Sequence, residues 1–159
     1  MNRHAGLRVQ GLGLVLLAAS ACAPAPATDK TPKSGSEMSR AVVDPYLKIQ
    51  EALSDDKMDG VKANAGEVAT AAAALGAPAM KIDTAAVQLA ATAEIEDARE
   101  KFGTLSEAID TYMTGLKLKA QEGVKVAVCP MVRKPWLQTA SAIDNPYYGK
   151  SMLSCGSFR

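Results

Sequence analysis

The chain has 159 residues, 18 basic and 17 acidic, a net charge of +1, and a single histidine. A balance this close to neutral offers no clustered basic surface and speaks against a nucleic-acid partner. The one histidine, His4, stands at the very start; once a leader is removed, no Ser-His or Cys-His dyad and no histidine zinc site remains, so an enzyme is not expected.

The N-terminus follows the export pattern. Arg3 and Arg8 give a positive start, Leu12 to Ala19 form a short apolar run interrupted by Gly13, and Ala19-Ser20-Ala21 leads into Cys22. This is the arrangement of a signal peptide over residues 1–21, and the run is shorter than the roughly 20 apolar residues that span a bilayer. A cysteine directly after a small residue at the end of such a run resembles the lipobox of bacterial lipoproteins, where the thiol is diacylated and becomes the new N-terminus. Ala19 stands where that family usually has Leu, so plain cleavage after Ala21 is the alternative. The resemblance implies lipidation at Cys22, with each buried CH₂ contributing roughly 0.8 kcal/mol to membrane attachment. Ala23, in place of Asp, points by the same resemblance to the outer membrane, on the periplasmic side. Residues 22–39, which after Cys22 read APAPATDKTPKSGSEMS, have almost nothing to bury and are expected to be a flexible tether. Loss of Arg3 and Arg8 leaves 16 basic residues against 17 acidic.

Residues 40–159 suit one domain large enough to hold a core without cross-links. Asp44-Pro45 is expected to open the first helix, as N-cap and first helical residue, with Tyr46, Leu47, Ile49 and Leu53 as its apolar stripe. Asp55, Asp56 and Asp59 read as a solvated helix end, because they lack the glycine and ligand register of a calcium loop. Val61, Ala65, Val68, Ala72 and Leu75 mark a second helix stopped by Gly76 and Pro78. A third begins at Asp83 or Thr84, with Ala86, Leu89, Ala90, Ala93 and Ala98 inward, Glu94, Glu96, Asp97 and Arg99 outward, and Gly103 breaking or bending it. Thr104-x-x-Glu107 is a weak capping box ahead of a fourth stripe of Leu105, Ala108, Ile109, Tyr112, Met113 and Leu116. Met58, Met80 and Met113 are expected to fill core gaps.

After Gly123 the pattern alternates over Val124–Val128, a short strand or extended segment. Pro130, Pro135, Pro146, Gly149 and Gly156 then suggest a structured loop region. The expected fold is mainly α: an antiparallel four-helix bundle with a C-terminal loop lobe and that one short strand.

The C-terminal segment carries the specific signal: Cys129-Pro130-Met131, Trp136-Leu137, Ile143, Asn145-Pro146-Tyr147-Tyr148-Gly149, Met152-Leu153 and Cys155-Gly156. With Tyr46-Leu47, Ala52-Leu53, Asp55-Asp56, Phe102, Leu105 and Ser106, this string resembles the bacterial family called domain of unknown function 3347, over roughly residues 42–157. The resemblance implies an exported domain, one also found fused to periplasmic adaptor subunits of copper and silver efflux pumps. That family has no settled activity.

The residues themselves leave two readings open. With Cys22 acylated, Cys129 and Cys155 are an even pair in an oxidising compartment, and so a disulfide candidate whose closure would stabilise by roughly 3–4 kcal/mol. Alternatively Cys129, Met131, Met152 and Cys155 pair thiolates with thioethers at short spacing, a donor set that selects Cu(I) or Ag(I). Trp136 would then cap the metal through a cation–π contact, or else anchor the core. Asn145-Pro146-Tyr147-Tyr148-Gly149 reads as a turn; Trp136, Tyr147 and Tyr148 either pack on the bundle or form a partner surface. The expectation is a non-enzymatic Cu(I)/Ag(I)-binding envelope lipoprotein serving metal resistance or efflux. Its partners would be the membrane, through the anchor, and an efflux adaptor or other envelope protein. The alternative is a disulfide-stapled structural or interaction module with no metal and no other cofactor.

Overall fold

Residues 36–159 are described in the computed structural model; the candidate signal peptide, Cys22 and most of the expected tether lie outside them. Helix α1 spans Arg40–Ser54 and begins a turn before the expected start at Asp44-Pro45. The Ser39 carbonyl accepts from the amides of Val42 and Val43 at 3.0 and 3.1 Å, so the first turn is already closed ahead of Pro45. The proline lies inside the helix close to its N-terminus, where its missing N–H costs a single ladder bond. Helix α2, Val61–Ala74, follows the expected stripe: Val61, Ala65, Val68 and Ala72 are buried.

Helix α3 spans Met80–Ala90, entered through a 3₁₀ turn at Ala77–Ala79 that contains Pro78. It thus starts before Asp83. The chain breaks at residues 91–94, and α4 runs unbroken from Ile95 to Leu116. Gly103 is buried within α4 and does not end a helix; Thr104 and Glu107 are mid-helix and form no capping box. Thr92, whose hydroxyl donates to the Leu89 carbonyl at 2.8 Å, helps close α3. Ala93 is exposed instead of inward, whereas Arg99, expected outside, is largely covered.

The helices pack in chain order, α1 on α2, α2 on α3 and α3 on α4. Small buried side chains line the middle of this stack, among them Ala65, Ala69 and Ala72 of α2 and Ala85 and Ala86 of α3. They let the helix axes approach closely. Helices α1 and α4 are joined by aromatic contact: Tyr46 stacks on Phe102 with ring centroids 4.8 Å apart, and its hydroxyl meets Ser106 Oγ at 2.6 Å. Met113 is in the core and Met58 half-buried, but Met80 is 61% exposed. It lines a groove of about 450 Å³ between α3 and α4 rather than filling the core.

In place of a loop lobe with one strand, the C-terminal part holds a three-stranded antiparallel sheet. Strands β1 (Lys125–Cys129), β2 (Lys134–Gln138) and β3 (Ser157–Phe158) lie in the order β2-β1-β3. Val128 pairs with Pro135 on one side and Ser157 on the other. Pro135 is tolerated because β2 is an edge strand. Helix α4 packs on β2, and so does α1. Tyr46 Oη accepts from the Leu137 amide at 3.2 Å, and the Tyr147 hydroxyl donates to the Pro135 carbonyl.

The packed structure begins at the end of the segment expected to be tether. Met38 is 1% exposed, its amide donates to the Lys119 carbonyl at 3.0 Å, and Gln121 Nε2 donates to the Met38 carbonyl at 3.1 Å. No helix among the described residues is long and apolar enough to cross a membrane.

Candidate functional site

The chemistry-bearing residues meet where the sheet leans on its C-terminal return. Along β1, Ala127 and Cys129 alternate inward and are fully buried. Strand β3 returns antiparallel with Val128 opposite Ser157, so one further step of the register sets Gly156 level with Cys129. Gly156 has φ +152°, a conformation L side chains rarely adopt. A Cβ there would stand 2.6 Å from the Trp136 ring and 3.1 Å from the Val128 carbonyl. The turn this glycine allows sets Cys155 beside the residue level with Cys129 and packs it on the core that holds Cys129; both thiols are free. Cys129 is sealed, whereas Cys155 is partly accessible. Burial, and then the neighbouring Cys129 thiol, push the Cys155 thiol above its ordinary pKa.

Cys155 is held by its backbone. Its amide donates to the Met152 carbonyl at 3.0 Å, and its carbonyl accepts from Asn145 Nδ2. Asn145 is itself fully buried. Its Oδ1 accepts from the Tyr147 amide at 2.8 Å, its amide donates to the Leu153 carbonyl at 2.8 Å, and its carbonyl accepts from the Gly149 amide at 3.1 Å. The Asn-Pro turn of the sequence is thus also the clamp that sets the second thiol. Gln138 does the same for the preceding loop. Its Oε1 accepts from Trp136 Nε1 at 2.8 Å and from the Asp144 amide at 3.1 Å, while its Nε2 donates to the Ala140 and Ala142 carbonyls.

Of the four sulfurs singled out in the sequence, the structure brings two together. Met131 sits in the β1–β2 turn, 63% exposed. Met152 is half-buried at the start of the turn that ends in Cys155. Among the described residues, no group of three or more His, Cys, Asp or Glu side chains could hold a metal ion; a two-thiol arrangement lies outside that description.

Trp136 and Tyr147, offered in the sequence as either core or partner surface, are core residues, 1% and 7% exposed; Tyr148 is half-buried. Trp136 meets Tyr147 edge-on at 5.8 Å, and Tyr147 meets Phe102 at 6.0 Å. This aromatic run joins the thiol corner to the helices.

A second structural centre was missed in the sequence. Arg99 of α4 pairs with Asp56 and donates to the carbonyls of Leu53 and Pro146 at 3.1 and 3.2 Å. Asp55, Asp56 and Asp59 are all exposed, as a solvated helix end requires, and Asp56 is in addition tied to Arg99. Gly149 (φ +53°) lies against this ion pair, where a Cβ would collide with Asp56 and Arg99. The glycine of the Asn-Pro-Tyr-Tyr-Gly run was the available signal, but its partners are distant in sequence.

The molecule is thus a small helical bundle that carries two neighbouring free thiols at a C-terminal sheet. The chain belongs to the family described as Protein of unknown function (DUF3347), whose model matches residues 42–121. That span covers the helices from α1 to just past α4; the thiols lie beyond it. No curated protein matches the chain, and no solved structure does.

Proposed function

We propose that this chain is an envelope lipoprotein, anchored through Cys22, whose bundle presents Cys129 and Cys155 as a two-thiolate site for Cu(I) or Ag(I), in support of metal resistance or efflux. The single observation that carries the reading is the placement of two free thiols from separate chain segments beside each other by the strand register. Soft d¹⁰ cations accept two sulfurs, whereas zinc and the harder divalent ions call for more ligands of other kinds. Binding would displace both thiol protons, so affinity rises with pH. Met152 is the thioether nearest in sequence to Cys155; Met131, out in solvent, is suited to first contact rather than to closing the site. The efflux context comes from the family resemblance, and the anchor from the N-terminal pattern.

Titration of Cu(I) into the reduced mature protein against a competing chelator is the test. One Cu(I) per chain is expected, lost in the C129A/C155A pair and retained in Met131→Leu. Weak uptake without a fixed stoichiometry would reject the metal site. Labelled palmitate should be incorporated by the full chain and not by Cys22→Ala. A second reading rests on the same placement and on the Asn145 and Gln138 hydrogen bonds, which order the lobe without any ion: a disulfide-stapled interaction module that binds no metal.

A further inference from the structure

The two thiols differ in a way that neither reading above uses. Cys129 ends the central strand and is 0% exposed. Cys155 lies in the return segment beside Gly156, partly open to solvent. Cys155 directly precedes the residue level with Cys129 in the strand register and packs on the same core, so the two thiols need little movement to join. Only one of them can be reached by a macromolecular or bulky reagent without opening the core. We infer that the pair is an ordered thiol–disulfide exchange centre, with Cys155 as the entry thiol and Cys129 as the resolving thiol. Its oxidised form is the closed state of the metal site proposed above, and the inference deepens that reading.

The steps balance. The Cys155 thiolate attacks one sulfur of a donor disulfide. The Cys155–donor S–S bond forms, the donor S–S bond breaks, and the first donor thiolate leaves and takes up a proton. The Cys129 sulfur then attacks Cys155 Sγ, releasing the second donor thiol, while the Cys129 proton passes to solvent. Two protein thiols lose two electrons, and one disulfide is reduced to two thiols. The oxidant is a disulfide, of a small molecule or of an oxidoreductase, as exchange chemistry requires. Once joined, neither sulfur is a thiolate ligand, so oxidation and soft-metal binding exclude each other.

Gly156 is what makes the order possible. It turns the return strand so that the residue before it reaches the inward face of β1, and any side chain there would strike Trp136. A Cys pair in regular register would be buried together or exposed together. This one is split between the core and the rim.

The test uses the reduced full-length mature protein with oxidised glutathione, followed by intact-mass measurement and thiol counting. Wild type should lose both thiols with no retained glutathione. Cys129→Ala should accumulate one glutathione on Cys155. Cys155→Ala should stay unmodified until it is unfolded, with at least a tenfold slower reaction. Equal reaction of both single variants, or a stable adduct on wild type, would overturn the ordered exchange. If Cys129→Ala does not fold, peptide mapping of wild type quenched early should find the transient adduct on Cys155; an adduct on Cys129 would overturn it. Silver ion added to the two wild-type forms separates this inference from the metal site. Uptake by the reduced form alone supports both. Equal uptake by both forms overturns the exclusion. No uptake by either, with ordered exchange intact, removes the metal reading and leaves the exchange centre standing.

Discussion

Gln138 shows how much one side chain can organise. It is fully buried, and its amide makes four hydrogen bonds, two accepted and two donated. Three of its partners are backbone groups of the loop between β2 and Asn145, and the fourth is the Trp136 indole. Gln138→Leu keeps the volume but leaves the buried Trp136 indole and three part-buried loop groups without these partners. Each buried orphan costs about 1–3 kcal/mol, partly relieved by relaxation of the loop. We therefore expect a loss of about 3 kcal/mol in urea denaturation, together with faster amide exchange at Asp144. A change below about 1 kcal/mol would mean that the loop orders itself without the glutamine. Nothing in the sequence marks this residue, a polar side chain at the end of an apolar strand. Asn145 was legible as a turn former, but its grip on the Cys155 carbonyl was not. The cysteines could be read as a pair; their placement depends on Gly156, whose role appears only when Trp136 is placed across from it.

At the scale of elements, periodicity served the helices and failed at their ends. The stripes on α2 and α4 are the buried faces observed, because a 3.6-residue repeat survives any choice of neighbour. Boundaries depend on less visible chemistry. The α3–α4 break falls in Ala91-Thr92-Ala93-Glu94, which has neither Gly nor Pro, while Gly103 sits within a helix. Pro45 drew the start of α1 too far along, because proline favours the first turn and here lies inside the helix. Strand β2 was hidden by Pro135, and β3 is only 2 residues long, too short for any alternation to show. The segment ahead of α1 offers a direct check. Met38 fills a core site and ties Lys119 and Gln121 to the N-terminal end. A chain begun at Arg40 should be less stable than one begun at Ser36 by about 2 kcal/mol, the value of burying one such side chain. Equal urea midpoints for the two would show that Met38 packs without consequence.

For the molecule as a whole, three tyrosines set an alkaline limit. Burial is the leading cause that pushes the hydroxyls of Tyr46 and Tyr147 well above their ordinary value of 10.0, and that of Tyr112 above it. In the folded chain these groups remain neutral, whereas in the unfolded chain they ionise near pH 10. The unfolded state therefore binds fewer protons above that point, and stability falls as pH rises. Stability should be unaffected by them below about pH 10. Above it, each fully buried hydroxyl removes about 1.4 kcal/mol per pH unit until its folded pKa is reached. Urea midpoints across the alkaline range should show this, with a shallower slope in Tyr46→Phe. An identical slope in that variant would assign the loss to other groups.

The same tyrosines bear on how copies of this chain behave when crowded together. A sheet rim normally offers a row of vacant amides and carbonyls, onto which another molecule can dock and so begin a fibre. Along β2 that row is interrupted three times: Pro135 has no N–H, Tyr147 occupies its carbonyl, and Tyr46 occupies the next amide, of Leu137. The opposite rim is two residues long. With so little for a second copy to grip on either side, the native protein should resist strand-to-strand polymerisation even when it is concentrated.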